Sequence, residues 1–218
     1  MHLILTGATG TAGSAVLKHC LADPAITRLS ILSRRPIPQA DGHSKANVII
    51  HPDFTSYPRE LLSQLEGAKA CIWALGISQT QVKKDEYVKA DQTEKAMSLF
   101  AKVKGRTEKT LLALPQQSTD LSSLRIYNIR PGAIDPEGEI LKTTPPSALE
   151  RYGGMIIFPL LRTRMMKSFV IGTNPLAKTL IQIAKGDGEP IPAGKGVEYD
   201  GRVLRNTALR RMAGLDKD

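Results

Sequence analysis

The chain opens on a short apolar run, Leu3-Ile4-Leu5, which suits a strand buried on both faces. Behind it Ala15, Val16, Leu17, Cys20 and Leu21 fall at helical spacing, predicting a helix from about Thr11 to Leu21 that Asp23-Pro24 stops. Arg28 to Leu32 is a second strand. A third, Asn47 to His51, is built around Val48, Ile49 and Ile50. A short helix, Tyr57 to Leu65, turns Leu61, Leu62 and Leu65 inward, and a fourth strand, Ala70 to Leu75, ends at Gly76.

The alternation then stops. From Lys84 to Leu114 there is no Pro and one Gly, while Val88, Met97, Leu99, Phe100, Val103, Leu111, Leu112 and Leu114 recur at roughly helical intervals. This reads as one long helix or two consecutive ones, longer than a simple crossover requires, leading to a fifth strand, Leu124 to Ile129. Past Arg130-Pro131-Gly132, Ile134 to Pro146 is a Pro- and Gly-punctuated loop, Tyr152 to Arg164 mixes apolar residues with Pro159, and Phe169 to Ile171 fits a short strand. Asn174-Pro175 opens a helix, with Asn as cap and Pro at the first position, that carries Leu176, Leu180, Ile181 and Ile183 inward as far as Lys185-Gly186. Val197 to Tyr199 fits an edge strand and Val203 to Met212 a terminal helix.

The turn between the first strand and helix carries the chemistry. Gly7, Gly10 and Gly13 stand at three-residue intervals. The first lets the chain turn out of the strand, the second removes a Cβ where a pyrophosphate approaches the backbone, and the third lets the helix sit close to the sheet. The free N–H groups and positive end of the following helix then face phosphates. A glycine triplet alone is weak, but here it lies between strand and helix with a second strand at the right distance, which makes residues 1–35 a nucleotide-binding βαβ unit. The expected architecture is α/β: a Rossmann-type, doubly wound, mostly parallel sheet in a single domain of residues 1–218, with 133–218 forming the substrate side and C-terminal part.

An NAD site places an Asp or Glu about 20 residues after the glycine turn, to hold the ribose 2′-hydroxyl. This chain has Ser33-Arg34-Arg35 there. A carboxylate would repel a 2′-phosphate, whereas guanidinium groups hold one through charge-assisted hydrogen bonds of about 1.5–3 kcal/mol each. The expected cofactor is NADP(H). Two roles fit Asp53 at the end of the third strand, ligand contact and loop capping beside a packed Phe54. Two also fit Gly76, close approach to the nicotinamide half and plain strand termination.

Composition narrows the field. With 218 residues, 41% hydrophobic, the chain is long enough for one domain with a real core. No N-terminal targeting pattern and no apolar run approaching the roughly 20 residues of a membrane span are present, so a soluble, cytoplasmic protein is expected. Cys20 and Cys71 lie in apolar settings that suggest core thiols, without metal-ligand spacing. The net charge of +9 is spread over small basic groups, and four Phe and one Trp offer little for base stacking, which argues against nucleic acid as the partner.

TGATGTAG (Thr6 to Gly13), SRR (Ser33 to Arg35), LFAKVKGRTEKTLLAL (Leu99 to Leu114), RIYNIRPGAI (Arg125 to Ile134) and the tail from Asn174 to Leu215 together resemble atypical short-chain dehydrogenase/reductases. The group most resembled is the small fungal proteins similar to nucleoside-diphosphate-sugar epimerases and Tat-interacting-protein-like oxidoreductases. The resemblance implies an NADP(H)-binding Rossmann fold, and the expected cofactor-binding residues are Thr6, Gly7, Thr9, Gly10, Thr11, Gly13, Arg34, Arg35, Asp53, Gly76, Lys104, Arg130 and Pro131. It further implies a Ser on the fifth strand of the family and a Tyr-x-x-x-Lys on the next helix, where the Tyr exchanges a proton with substrate and the Lys lowers its pKa.

Lys104 aligns with that family Lys as the remaining catalytic candidate. Its partner four residues earlier is Phe100, and no Tyr-x-x-x-Lys occurs anywhere in the chain. The helix and strand that the family places between Ala90 and Thr93 are missing, which the unbroken helical stretch reflects. The resulting expectation is an NADP(H)-binding protein with impaired hydride transfer, serving as sensor or binding module. The alternative is an active NADPH-dependent oxidoreductase or epimerase-like enzyme that uses a non-tyrosine acid on a small-molecule substrate. General acid catalysis contributes typically 10²–10⁴-fold, so its loss leaves room for turnover.

Overall fold

The structure is a computed structural model. It describes residues 1–76, 96–137 and 167–216, with the backbone path alone for 96–104 and 167.

Four parallel strands form the central sheet. They are β1 (His2–Thr6), β2 (Arg28–Ser33), β3 (Ala46–Ile50) and β4 (Ala70–Trp73), in the order β3-β2-β1-β4. The register sets Thr6 beside both Leu32 and Trp73, and Ser33 beside Ile50, so all four carboxyl ends lie at one side of the sheet. Strand alternation divides the apolar residues between two faces. Leu3, Leu5, Leu29, Ile31 and Ile72 meet Ala15, Val16 and Cys20 of helix α1 (Thr11–Ala22) on one face. Leu32 and Ile49, with Ile4, meet Leu61 and Leu65 of α2 (Arg59–Leu65) on the other. Leu3, Leu5, Leu29 and Ile31 have no exposed surface, and full burial of such a side chain contributes about 1.5–3 kcal/mol.

The chain then continues through α3 (Ala96–Ala113), β5 (Asn128–Arg130), β6 (Ala133–Asp135), β7 (Val170–Gly172), α4 (Thr173–Lys185), β8 (Val197–Glu198), β9 (Val203–Arg205) and α5 (Asn206–Met212). Strands β5 and β9 are parallel, β8 joins β9 antiparallel, and β6 and β7 form a separate parallel pair. Helix α4 ties these parts to the central sheet. Its Ala177 and Ile181 enter the α1 core, while Leu176 packs with Ile171, Leu204, Ala208 and Leu209. Polar contacts fix the two helices side by side: His19 Nε2 lies 2.9 Å from Asn174 Oδ1, and Lys185 Nζ 2.7 Å from Asp23 Oδ2.

Several sequence expectations are corrected. The fifth strand is confined to Asn128–Arg130, and a 3-10 turn, Thr119–Leu121, with a bonded turn closing at Leu124 lies ahead of it. A strand at Ala133–Asp135 replaces the start of the expected loop, stabilised by pairing with the distant Val170–Gly172. Val203–Arg205 is a strand rather than the first turn of the terminal helix, since its backbone pairs with both Asn128–Arg130 and Val197–Glu198. The cap position of α4 is Gly172, not Asn174. Leu62 is half exposed, because a helix of seven residues directs only Leu61 and Leu65 at the sheet. Cys71 is exposed rather than a core residue. Residues 84–95, the expected deletion between Ala90 and Thr93, the remainder of the Ile134 to Pro146 loop from 138, and Tyr152 to Arg164 lie outside the described residues.

Candidate functional site

The site is assembled at the carboxyl ends of the central strands, where open α/β sheets present their ligand crevice. Strand β1 ends at Thr6, whose hydroxyl is buried without a hydrogen-bond partner among the described residues. The chain then leaves the sheet through Gly7 in the left-handed region, φ +73°. A Cβ on Gly7 would lie 2.4 Å from the Ala74 carbonyl oxygen, so only glycine lets the turn pass the end of β4. Gly13 is packed as closely, with a virtual Cβ 2.0 Å from the Gly7 oxygen, which seats α1 against the turn.

Gly10 differs from both. Its φ is an ordinary −85° and it is exposed, and a virtual Cβ there meets only the Gly7 oxygen, at 3.3 Å. The Gly10 N–H is bonded to Gly7 O at 2.9 Å, and as N-cap of α1 it supplies no side-chain acceptor. No acidic residue occupies the first turn of the helix. A bare glycine surface at a positive helix end, with no internal carboxylate, is the arrangement a pyrophosphate requires. The residues present therefore fit the phosphate part of a dinucleotide.

Arg34 and Arg35 follow β2 directly, at the same end of the sheet, and both side chains are exposed. The Ser33 hydroxyl accepts the Arg35 N–H at 3.3 Å and shapes the turn that presents them. Among the described residues neither guanidinium is engaged by a carboxylate, so their charge is available to an anion at the crevice.

Of the two roles that fitted Asp53, the geometry displays loop capping: its Oδ1 accepts the Thr55 N–H at 2.9 Å and the Thr55 hydroxyl at 2.6 Å. Those bonds hold the carboxyl below its ordinary range. Phe54 packs beside it, edge-on to His51 at 5.1 Å and to Trp73 at 5.8 Å. Gly76 has open space around it and stands just beyond the Ala74-Leu75 segment that contacts Gly7.

The other sequence-derived candidates lie on different elements. Lys104 and Phe100 are on α3, and their side chains are outside the described residues. Arg130, at the end of β5, holds Glu108 of α3 in a forked ion pair and reaches Glu198 of β8 at 3.1 Å. Pro131 leads into Gly132, whose N–H donates to Asn206 Oδ1 at 2.9 Å while Asn206 Nδ2 donates to the Ser168 carbonyl at 2.7 Å. A Cβ on Gly132 would strike the Phe169 oxygen at 2.1 Å. The Arg-Pro-Gly stretch thus joins β5, the 3-10 turn Lys167–Phe169 ahead of β7, and α5. The structure brings the Thr6 to Gly13 turn, Arg34, Arg35, Asp53 and Gly76 to one end of one sheet, and sets Arg130 and Pro131 in the neighbouring one.

Sequence reasoning passed over Glu108, Asn206 and His51. His51 is buried just past β3, between Phe54 and Tyr57, with Nε2 unpartnered among the described residues. The acid within the Lys-Gly-Arg-Thr-Glu stretch of α3 was the one signal available for the first of these. No cluster of metal-ligating side chains is present among the described residues, and none of their helices is long and apolar enough to cross a membrane.

A short-chain dehydrogenase/reductase of Saccharomyces cerevisiae, known from its crystal structure, superposes over 97% of this chain and 98% of its own, with a TM-score of 0.59 and 11% sequence identity. The fold is that of a short-chain dehydrogenase/reductase. Among curated proteins, leucinostatins biosynthesis cluster protein T of Purpureocillium lilacinum is 29% identical over an aligned span of 255 residues, covering 96% of this chain and 94% of that protein. No family model matches the chain. The aligned span is longer than the 218 residues of this chain, so the relative carries at least 37 residues within it that this chain lacks.

Proposed function

We propose that this protein is one Rossmann domain that binds NADP(H) at the Gly7-Gly10-Gly13 turn and has impaired hydride-transfer chemistry, acting as a dinucleotide-dependent sensor or binding module. The observation that carries the reading is the contrast within the turn. Two glycines are filled by the protein's own backbone and the third, Gly10, is left bare at a helix end without acids. Arg34 and Arg35 at the end of β2, where an NAD site would carry an acid, favour the 2′-phosphorylated cofactor. When bound, the nicotinamide would supply hydride chemistry; Thr9, Gly10 and Thr11 would hold the pyrophosphate and the arginines the 2′-phosphate.

Impairment is supported by Phe100, which has no proton to give at the position four residues before Lys104. The surplus residues in the curated relative agree with loss of a segment from this chain. The substrate side is assigned to residues 133–218 and the protein to the cytoplasm.

The test is thermal melting with each cofactor. NADPH should raise Tm, since a ligand bound only by the folded state stabilises it, and NADH should do so less. Arg34→Ala combined with Arg35→Ala should erase the difference. Equal shifts from both cofactors in the unmodified protein would end the NADP(H) assignment.

A second reading keeps the protein as a working NADPH-dependent oxidoreductase or epimerase-like enzyme, favoured by the retention of Lys104 and by a curated relative named for a biosynthesis cluster. It requires substrate-dependent loss of NADPH absorbance that falls on Lys104→Ala.

A further inference from the structure

Helix α4 begins without a cap of its own, because its N-cap, Gly172, has no side chain to offer. The acceptor comes from another strand's exit. Glu137, two residues past β6, receives the Asn174 N–H on Oε2 at 2.8 Å, together with Asn174 Nδ2 at 3.1 Å and the Thr173 hydroxyl at 3.3 Å. A carboxylate on the first-turn donors of a helix is also favoured by the helix dipole.

Two features show that the chain is arranged around this contact. Gly172 has φ −70°, which any residue adopts, so its dihedrals do not call for glycine. A Cβ at 172 would instead meet the carboxylate, standing 2.4 Å from both Cδ and Oε1 of Glu137. Glu137 itself is in the left-handed region, φ +51°, a conformation that non-glycine residues keep only where surrounding contacts enforce it. Its own N–H is held by Asp135 Oδ1 at 3.0 Å.

The contact extends one step further. Because Asn174 Nδ2 donates to Glu137, Oδ1 of the same amide is turned to His19, 2.9 Å away on α1, and must accept from the imidazole Nε2–H. Glu137, Asn174 and His19 therefore form a directed chain of hydrogen bonds from the exit of β6, through the start of α4, to the helix that opens at the glycine turn.

We propose that Glu137 is a positioning residue that locks the exit of β6 onto helices α4 and α1, with Gly172 as the bay that admits its carboxylate and Asn174 as the relay to His19. The lock does not depend on which dinucleotide binds, or on whether one does.

The test uses the full chain and two readouts. In thermal melting, Gly172→Ala and Glu137→Ala should each lower Tm, and the double variant should melt no lower than Glu137→Ala alone, since removing the carboxylate removes the clash. A Gly172→Ala protein at least as stable as the unmodified one, or fully additive losses in the double variant, would overturn the proposal. If Gly172→Ala fails to fold, recovery of a cooperative melt in the double variant carries the same information. The second readout is the His19 imidazole N–H resonance, which is protected from exchange only while hydrogen-bonded. It should vanish in Glu137→Ala, Gly172→Ala and Asn174→Ala, and survive in Glu137→Gln, whose amide oxygen still accepts from Asn174. Persistence in Glu137→Ala would refute the relay.

Discussion

The carbonyl oxygen of Gly7 faces Gly13 so closely that a Cβ on Gly13 would lie 2.0 Å from it, while the same oxygen accepts the Gly10 N–H at 2.9 Å. One backbone atom therefore sets both the closure of the turn and the seating of α1. Gly13→Ala has only backbone to push against and should destabilise the protein by about 1–3 kcal/mol, read from the denaturant midpoint. Gly10→Ala should stay within about 1 kcal/mol of the unmodified protein. It should nevertheless abolish NADPH-induced stabilisation. A Gly10→Ala protein that keeps that stabilisation would place the dinucleotide elsewhere.

Arg130 joins α3 to the β5-β9-β8 sheet through its fork on Glu108 and its second contact to Glu198. Arg130→Lys keeps the charge and loses the fork. Because the partners are only partly buried, the expected cost is about 1 kcal/mol, smaller at high salt. Urea unfolding at low and high ionic strength measures it; a cost that does not respond to salt would show that packing of the side chain, not its charge, matters here.

The Lys185 ammonium, followed by the Ala25 N–H, holds the Asp23 carboxyl below its ordinary value. A depressed carboxylate contributes stability that is present above its unfolded pKa, about 3.9, and is lost as pH falls through the folded value. Tm should accordingly fall more steeply on acidification below about pH 4 than it does in Asp23→Asn. Parallel acid limbs for the two proteins would remove Asp23 from the account.

Burial pushes the Cys20 thiol up to about 12, and the residue has no exposed surface. Cys71 is exposed, although desolvation by its surroundings raises its thiol to about 11. Exposure decides access and thiolate fraction decides rate. An aromatic disulfide reagent at pH 8 should titrate one thiol slowly in the folded protein and the second only on unfolding, with Cys71→Ser removing the first. Two native thiols would mean that α1 opens readily from the sheet.

The elements legible in sequence were those whose signal is local. Leu3 to Leu5, the helix behind Gly10, and Val48 to Ile50 each carry enough apolar residues to announce a period. Strands of three residues do not. Ala133–Asp135 and Val203–Arg205 are strands because Val170–Gly172 and Asn128–Arg130 lie beside them, and pairing across such separations leaves no mark on spacing. Asn174 shows the same limit: its type predicted a cap, while the cap came from Glu137, distant in sequence.

The sequence by itself determined the glycine turn and the two arginines after β2, because their meaning rests on residue type and on distances along the chain. The tertiary structure decided which glycine is left bare. It also decided that the Arg130 guanidinium is held by Glu108 and Glu198, and that the Glu137 carboxylate fills the space Gly172 leaves. Those outcomes depend on which backbone and side-chain atoms the fold brings within contact distance, a property of packing that no single residue or spacing carries.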